Sequence, residues 1–459
     1  MTSRADNSGV LCVIGGFLVH LVLGTLYCWG NLTTYVTARL RLFDASITYD
    51  RTLLVFATCL GCQGCTMLAA GVVESRIGAK YTCLLGGYVL TAGVLLSSEA
   101  KSLFSLVLFN GAFFGVGLGL AYSPPISASA RWFPEQKGLV TGIIISGFGG
   151  GAFVFGSIAN ALVNPDNLAV AADGYFDPTG PVASSVPHMY LFLGLLYFIF
   201  ISIGGLLISE PSCEEVTAQN GSGYQILSED SIESHITARD TIELDVTQVI
   251  RTPLAWHLAL CLVSTAVGGM FLAGTFKTFA LTSVDSLSLG IISTAASIFN
   301  SGKSLISHLT VISNFMEVGR IFWGAMGDRF GLMQTLVCLA LGLSTIIFTY
   351  SQSLKFGVPG FALWTFLVFF FAGGNFALYM PITIQLFGSK NSSGNYGFIF
   401  FLYSMCNVVN IFVLSHLKVS FVLATLYMGV LTLTGSLIVL LLIRHHKRFE
   451  YAFHAAKAT

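Results

Sequence analysis

The sequence predicts an all-α integral membrane protein with twelve transmembrane helices arranged as two six-helix bundles. Three observations predict this fold class: the composition, the number of long apolar runs and a polar motif that occurs twice. Only 10% of the 459 residues are charged and 54% are hydrophobic, with a mean hydropathy of +0.78. Soluble domains carry roughly 25% charged residues, so this chain needs a bilayer to cover its apolar surface.

The apolar runs predict the number of helices. A helix needs about 20 predominantly apolar residues to cross about 30 Å of hydrocarbon. Residues 282–302 are interrupted by Ser, Thr and Asn, so the sequence leaves open whether they form a loop or part of the eighth helix. The predicted crossings are approximately 9–31, 52–74, 80–99, 103–130, 137–163, 187–209, 252–281, 303–327, 331–351, 357–386, 394–416 and 420–443.

An acidic segment divides the two sets of six crossings. Residues 210–251 contain nine Asp and Glu residues and little periodic apolar content, which is typical of a flexible, solvated linker. We therefore expect an N-terminal six-helix bundle in residues 1–209, a cytoplasmic acidic linker in 210–251, and a C-terminal six-helix bundle with a cytoplasmic tail in 252–459.

Lys and Arg predict the orientation, because cytoplasmic loops carry an excess of both. They are more frequent on the side that holds the two termini, which includes the cluster of Arg444, Lys447 and Arg448. Both termini and the linker should therefore be cytoplasmic. The sequence does not choose between the plasma membrane and an organelle membrane.

Composition and spacing also exclude several function classes. With a net charge of zero, the chain has no excess of positive charge to attract the phosphates of a nucleic acid. The ten cysteines show no metal-ligand spacing, and the glycine-rich runs lack the Lys-Ser/Thr ending of a phosphate loop. No nucleophile-base arrangement is visible either. The protein is therefore not expected to be an enzyme or to hold a cofactor or metal.

A polar motif lies at the end of a long apolar run in each half. Ser75 stands in the earlier copy where the pattern has Asp. Two copies about half a chain apart indicate a duplicated membrane protein whose halves carry the same cytoplasmic loop. The later copy comprises Gly324, Asp328, Arg329 and Gly331; the earlier copy comprises Gly71, Glu74, Arg76 and Gly78.

These features together resemble the major facilitator superfamily. The segments 24–29, 122–125, 131–142, 147–151 and 314–320 further resemble the oxalate/formate antiporter branch and the related monocarboxylate transporters. The resemblance implies a secondary transporter of small organic anions that works by alternating access. It also implies that the two motif copies act as a conformational latch, weaker in the earlier copy because its Asp is missing.

Arg320 is the leading candidate for substrate binding. It lies eight residues before Asp328, so about 12 Å along the helix axis and inside the membrane. Intramembrane charges mark a substrate path or a structural pair, and the guanidinium fork matches a carboxylate bidentately. The resemblance assigns an Arg at this place to the substrate carboxylate. The alternative is an ion pair with Glu317, three residues earlier.

Proton coupling has two candidates. His20 lies midway through the first crossing and can titrate near physiological pH, although a neutral, hydrogen-bonded His is the plain alternative. Glu317 could take a proton during the cycle. The resemblance adds aromatic residues that line the cavity, each of which could instead serve ordinary packing: Tyr27, Trp29, Tyr122, Tyr379 and Tyr403.

The resemblance also bears on the substrate. Oxalate exchangers of this branch carry a Lys in the eleventh crossing, a few residues after Asn-Tyr-Gly, and here Tyr403 stands at about that place. A dicarboxylate would leave one charge uncompensated in a low dielectric. We expect a monocarboxylate such as formate, lactate or pyruvate, carried by proton symport or anion exchange. The alternatives are an oxalate/formate-type dicarboxylate exchanger and a non-transporting solute sensor.

Overall fold

Helices form nearly all of the chain that a computed structural model describes. The described residues are 2–166, 168, 170–171, 173–211, 243–280, 314–416 and 421–457, and they include no strand. Below, the N-terminal half means residues 1–209 and the C-terminal half means residues 252–459.

The N-terminal half contains seven α-helices, a 3₁₀ segment (Gly24–Cys28) and a π-helical segment (Val107–Phe113). Two of the helices are short: α2 after the 3₁₀ segment and α4 before the π-helical one. The helices are α1 (Thr2–Leu23), α2 (Trp29–Arg41), α3 (Tyr49–Ser97), α4 (Leu103–Leu106), α5 (Phe114–Trp132), α6 (Lys137–Val163) and α7 (Pro181–Leu207).

The described residues that follow form a short helix at the end of the linker and six longer ones. A 3₁₀ segment (Tyr350–Phe356) joins two of them. These helices are α8 (Val246–Arg251), α9 (Pro253–Ala280), α10 (Asn314–Phe330), α11 (Leu332–Thr349), α12 (Gly357–Phe387), α13 (Ser392–His416) and α14 (Phe421–Lys457).

Apolar helix length agrees with the predicted crossings. Seven helical stretches of the described chain are long and apolar enough to span a bilayer. Two of these, Tyr49–Ser97 with 49 residues and Leu332–Phe387 with 56, each hold two predicted crossings. Side chains such as Leu195, Leu206 and Tyr427 are more than half exposed on the outside of the bundle, as lipid contact requires. Residues 282–302 lie outside the described residues.

Each motif copy forms a sharp turn and not the loop expected from the sequence. Helix α3 continues through the earlier copy and breaks only at Gly78, which has φ 81° and ψ 164°. Between α10 and α11 only Gly331 intervenes, with φ 95°. Positive φ is costly for residues that carry a Cβ, so the last glycine of each copy makes the reversal. The same device in both copies fits a duplicated fold.

The two halves pack most extensively along two helix pairs, α6 with α10 and α3 with α13. Glycines permit the closest approaches: a Cβ on Gly138 would overlap the carbonyl oxygen of Gly324, and a Cβ on Gly71 would overlap the backbone of Gly394. Small residues allow membrane helices to touch in this way. We call the end of the molecule that carries these contacts and both motif turns the motif end.

The prediction of a flexible linker is wrong for its last residues. Asp245 caps α8: its side chain accepts the N–H of Gln248, and the Gln248 side chain accepts the N–H of Asp245. The Thr247 hydroxyl and the Gln248 N–H hold the pKa of Asp245 below its usual value. Val249 is fully buried. This capping box fixes the start of α8, while residues 212–242 lie outside the described chain.

Candidate functional site

Arg320 lies on α10 where that helix crosses α6 of the other half. Its side chain is 1% exposed, and its Nη1 donates a hydrogen bond to the carbonyl oxygen of Ile145. A Cβ on Gly142 would lie 2.5 Å from the carbonyl oxygen of Arg320, so this glycine permits the crossing. The guanidinium is a buried positive charge in the plane where the two halves meet.

An aromatic cluster lies beside this charge. Arg320 bonds to Ile145, which lies one turn before Phe148 on α6, and the ring of Phe148 packs on Tyr122. The rings of Tyr122 on α5 and Tyr396 on α13 stack with centroids 6.4 Å apart and an interplanar angle of 19°. Aromatic groups from the two halves therefore meet next to the buried cation.

Two phenylalanines complete the cluster. The ring of Phe148 meets Tyr27 at 5.4 Å and Tyr122 at 5.5 Å, edge to face in both cases. Phe400 lies 5.7 Å from Tyr122 and 5.2 Å from Tyr403. We define the aromatic cluster as His20, Tyr27, Tyr122, Phe148, Tyr396, Phe400 and Tyr403.

His20 occupies the α1 side of the cluster and is fully buried. Its Nδ1 lies 2.9 Å from the carbonyl oxygen of Gly16, one turn earlier, and therefore donates in that contact. Its ring meets Tyr122 edge-on at 5.0 Å. In the neutral tautomer that this bond selects, Nε2 keeps a lone pair that can receive a proton.

Two of the predicted cavity residues make contacts outside the aromatic cluster. Trp29 lines a separate cavity inside the N-terminal half, together with Thr25 and Tyr190. The Tyr379 hydroxyl contacts the Thr265 hydroxyl at 2.9 Å and Cys261 Sγ at 3.0 Å, which ties α12 to α9. The side chain of the remaining candidate for proton coupling, Glu317, lies outside the described residues.

Asp328 joins the two halves at the motif end. Its two carboxylate oxygens accept the backbone N–H of Gly138 at 2.8 Å and of Leu139 at 2.7 Å, in the first turn of α6. Helix N-termini leave such N–H groups without intrahelical partners and favour negative charge. Gln136 provides no side-chain cap to α6. The carboxylate from the C-terminal half supplies that cap.

The earlier motif copy also reaches the other half, by a different route. Glu74 is buried and its Oε1 lies 3.4 Å from Arg131 Nη2. Arg131 in turn donates to the carbonyl oxygens of Ser389 at 3.4 Å and Lys390 at 3.3 Å, in the turn between α12 and α13. Glu74, the neighbour of Ser75, is thus linked to the other half through Arg131.

Two more contacts strengthen this arrangement. Arg131 Nη1 pairs with Glu210 at 2.9 Å, just beyond α7. The hydroxyls of Ser127 on α5 and Ser392 on α13 lie 2.8 Å apart across the halves. By contrast, the motif residues Arg76 and Arg329 are exposed.

The sequence analysis did not single out Phe148, Phe400 or Tyr396, nor the pair Ser127 and Ser392. A lone aromatic between glycines, and a Tyr at the centre of a small-residue segment, are the signals that could have found Phe148 and Tyr396. Ser127 and Ser392 carry no distinctive pattern and emerge only from the fold.

Comparison with known proteins agrees with this fold. The family model described as Major Facilitator Superfamily matches residues 13–415. Over 451 residues, the chain is 30% identical to apicoplast pyruvate carrier 1 of Toxoplasma gondii, covering 86% of this chain and 81% of that protein. The structure of the Escherichia coli fucose:proton symporter superposes with a TM-score of 0.62 at 13% identity, covering 95% of this chain and 98% of that one.

Two further relatives carry the narrower resemblance. The oxalate:formate antiporter of Oxalobacter formigenes is 23% identical over 402 residues, covering 86% of this chain and 82% of that protein. Monocarboxylate transporter 12 of Xenopus laevis is 24% identical over 366 residues, covering 74% and 69%. The chain belongs to the major facilitator superfamily, in the branch that holds these transporters of organic anions, and it is a transporter and not an enzyme.

Proposed function

We propose that the protein carries a small monocarboxylate, of the formate, lactate and pyruvate class, by alternating access between its two halves. Arg320 is the observation on which the proposal depends: a buried guanidinium at the contact of the two halves, beside an aromatic cluster drawn from both. A guanidinium fork fits a carboxylate bidentately, and a buried, low-dielectric setting strengthens the charge-assisted hydrogen bonds between them.

The aromatic cluster supports a small, partly apolar substrate. The rings of His20 on α1, Phe148 on α6 and Phe400 on α13 have centroids 5.0–5.7 Å from that of Tyr122 on α5. They provide apolar walls for the methyl end of lactate or pyruvate, while hydroxyl groups of the tyrosines can bond to oxygen atoms. The name of the Toxoplasma gondii relative, a pyruvate carrier, agrees with this substrate class.

His20 is the proposed site of proton coupling. Its ring lies in the aromatic cluster, packed on Tyr122 and Phe148. A proton on His20 and the guanidinium of Arg320 would repel each other until an anion lies between them. Binding the anion and binding the proton would then favour each other. Glu317 remains the second candidate, on the same helix as Arg320.

The orientation follows the distribution of Lys and Arg: both termini and the motif end face the cytoplasm. In that arrangement the contacts of Asp328 and of Arg131 close the cytoplasmic side. These contacts would have to break each time the substrate site opens to the cytoplasm. Holding the closed state in this way is the role proposed for the latch.

The oxalate:formate antiporter relative favours a second candidate function, dicarboxylate exchange. His20 and Arg320 could together balance two carboxylates. Against this, the position where the exchangers have Lys holds Tyr403, whose ring packs on Phe376 and Phe400.

The experiment is uptake of radiolabelled acids into proteoliposomes, with protein-free liposomes as the control. We expect formate, lactate or pyruvate to enter and to be poorly displaced by oxalate. Faster uptake with an inward proton gradient indicates symport; uptake that requires preloaded acid indicates exchange. Binding of the same acids without any flux would instead support a non-transporting sensor.

A further inference from the structure

We propose that Glu243, at the end of the acidic linker, is a positioning residue for the latch, and that it compensates for the missing Asp of the earlier motif copy. The proposal rests on the proposed alternating-access function. It concerns the turn 388–391 between α12 and α13, which Arg131 contacts from the other half.

Four hydrogen bonds join the linker end to this turn and to the last residue of α12. The Glu243 carboxylate accepts the backbone N–H of Ser389 at 3.1 Å and of Lys390 at 2.9 Å, and the Ser389 hydroxyl at 3.3 Å. The N–H of Leu244 donates to the carbonyl oxygen of Phe387 at 2.9 Å. The turn is therefore held along its whole length by two consecutive linker residues.

Two asparagines extend the contact. Asn391 Nδ2 lies 3.4 Å and Asn395 Nδ2 lies 3.0 Å from the carbonyl oxygen of Leu244. Directly after this point the capping box starts α8, so the linker end is itself anchored. The result is a short strap, residues 243–245, between a fixed helix and the turn.

Glu243 and Arg131 use opposite ends of one peptide group, the one that joins Ser389 to Lys390. Glu243 accepts the N–H of Lys390, while Arg131 donates to the carbonyl oxygen of Ser389. A carboxylate on the N–H end fixes the direction of this peptide dipole and makes its carbonyl oxygen a better acceptor. Glu243 therefore orients the Ser389 carbonyl group toward Arg131.

Comparison of the two motif copies shows why this position needs an acid. In the later copy Asp328 itself accepts backbone N–H groups of the other half. In the earlier copy Ser75 cannot do so, and its hydroxyl donates to Val72 in its own helix. Near the start of α13, the carboxylate that accepts the backbone N–H groups is that of Glu243 in the linker. Arg131 supplies hydrogen bonds across the halves.

The test measures closure at the motif end without a substrate. In full-length protein, Ser127→Cys and Ser392→Cys place two thiols where hydroxyls lie 2.8 Å apart. Exposed Cys65, Cys338 and Cys406 are replaced by Ser, as is Cys213 of the linker. After oxidation, cleavage at a protease site inserted within residues 215–235 reports whether a disulfide still joins the halves.

Glu243→Gln keeps the size of the side chain but removes its charge. The amide has a single oxygen, so its two ends cannot accept the N–H groups of both Ser389 and Lys390. We expect the cross-linking rate to fall about threefold, a modest effect because Glu243 is exposed. Glu135→Gln, at another exposed glutamate of the motif end that makes no hydrogen bond to the turn among the described residues, should leave the rate unchanged. Asn391→Ala removes a hydrogen bond to the strap without changing its charge, and it should lower the cross-linking rate as well. This variant replaces Glu243→Gln in the test if Glu243→Gln does not fold.

Transport kinetics separate positioning from general damage. Glu243→Gln should lower the maximal rate with an unchanged KM for the transported acid. An unchanged cross-linking rate in both strap variants, or an equal fall in Glu135→Gln, would overturn the proposal. If the unmodified protein carried no organic acid, the proposed function would fail, whereas the cross-linking result would still decide the role of the strap.

Discussion

The carboxylate of Asp328 caps a helix of the other half: its Oδ1 accepts the backbone N–H of Gly138 at 2.8 Å. The cap can exist only while the two halves touch at the motif end. It therefore ties the stability of a helix terminus to the closed arrangement of the two halves, and the later motif copy can act as a latch without contacting the substrate.

Asp328→Asn tests this latch. An amide oxygen can serve one of the two N–H groups and carries no charge, so at least one charge-assisted bond, worth about 1.5–3 kcal/mol, is lost. We expect transport to slow about tenfold while the KM changes less than twofold. Rates and KM in proteoliposomes measure both, and a large change in KM with an unchanged maximal rate would move Asp328 from the latch to the substrate site.

Glu74→Gln should have a smaller effect than Asp328→Asn. Glu74 pairs with Arg131 at 3.4 Å, a long contact, and Arg131 keeps its partner Glu210 at 2.9 Å when Glu74 is neutralised. We expect a two- to threefold slower rate, measured in the same assay. Equal slowing by the two substitutions would show that the earlier copy latches as firmly as the later one.

Gly324→Ala should prevent close contact of α6 and α10. The new Cβ would overlap the carbonyl oxygen of Gly138, and such overpacking costs roughly 1–3 kcal/mol. We expect a lower melting temperature in detergent and severalfold slower transport. Gly61→Ala is the matched control, because a Cβ there has nothing within 4 Å; similar losses in both variants would contradict the specific role of the contact.

Tyr403→Lys should shift the preference from monocarboxylates toward dicarboxylates. The Tyr403 ring lies in the aromatic cluster, 5.2 Å from Phe400, where an added cation can balance a second carboxylate. Competition by oxalate against labelled pyruvate measures the shift, with Tyr403→Met as the uncharged control. Strong competition by oxalate in the unmodified protein would reverse the substrate choice and direct attention to His20 as the second cation.

Much of the fold was predictable because membrane insertion leaves a direct trace in the sequence. The apolar runs locate the helices, and the repeated motif locates the turns at Gly78 and Gly331. The sequence could not show that these turns need only one residue, because that depends on the positive φ of a single glycine.

The candidate site was only partly predictable. Arg320 was identifiable because a charge inside an apolar run is rare. The separation of Trp29 from the aromatic cluster depends on the 3₁₀ segment Gly24–Cys28, which changes the direction of the following side chains and has no clear pattern in sequence. Glu243 was hidden in an acidic segment, although Asp245 and Gln248 show the spacing of a capping box.

The most direct test of the central claim, that Arg320 binds the substrate carboxylate, is uptake by Arg320→Lys. Lys keeps the charge but cannot form the bidentate fork, and losing one charge-assisted hydrogen bond costs on the order of 1.5–3 kcal/mol. We predict a ten- to hundredfold loss of affinity for the transported acid, with most transport lost, in a protein that remains folded by size-exclusion chromatography. Normal uptake by Arg320→Lys would show that Arg320 serves the structure and would contradict the assignment.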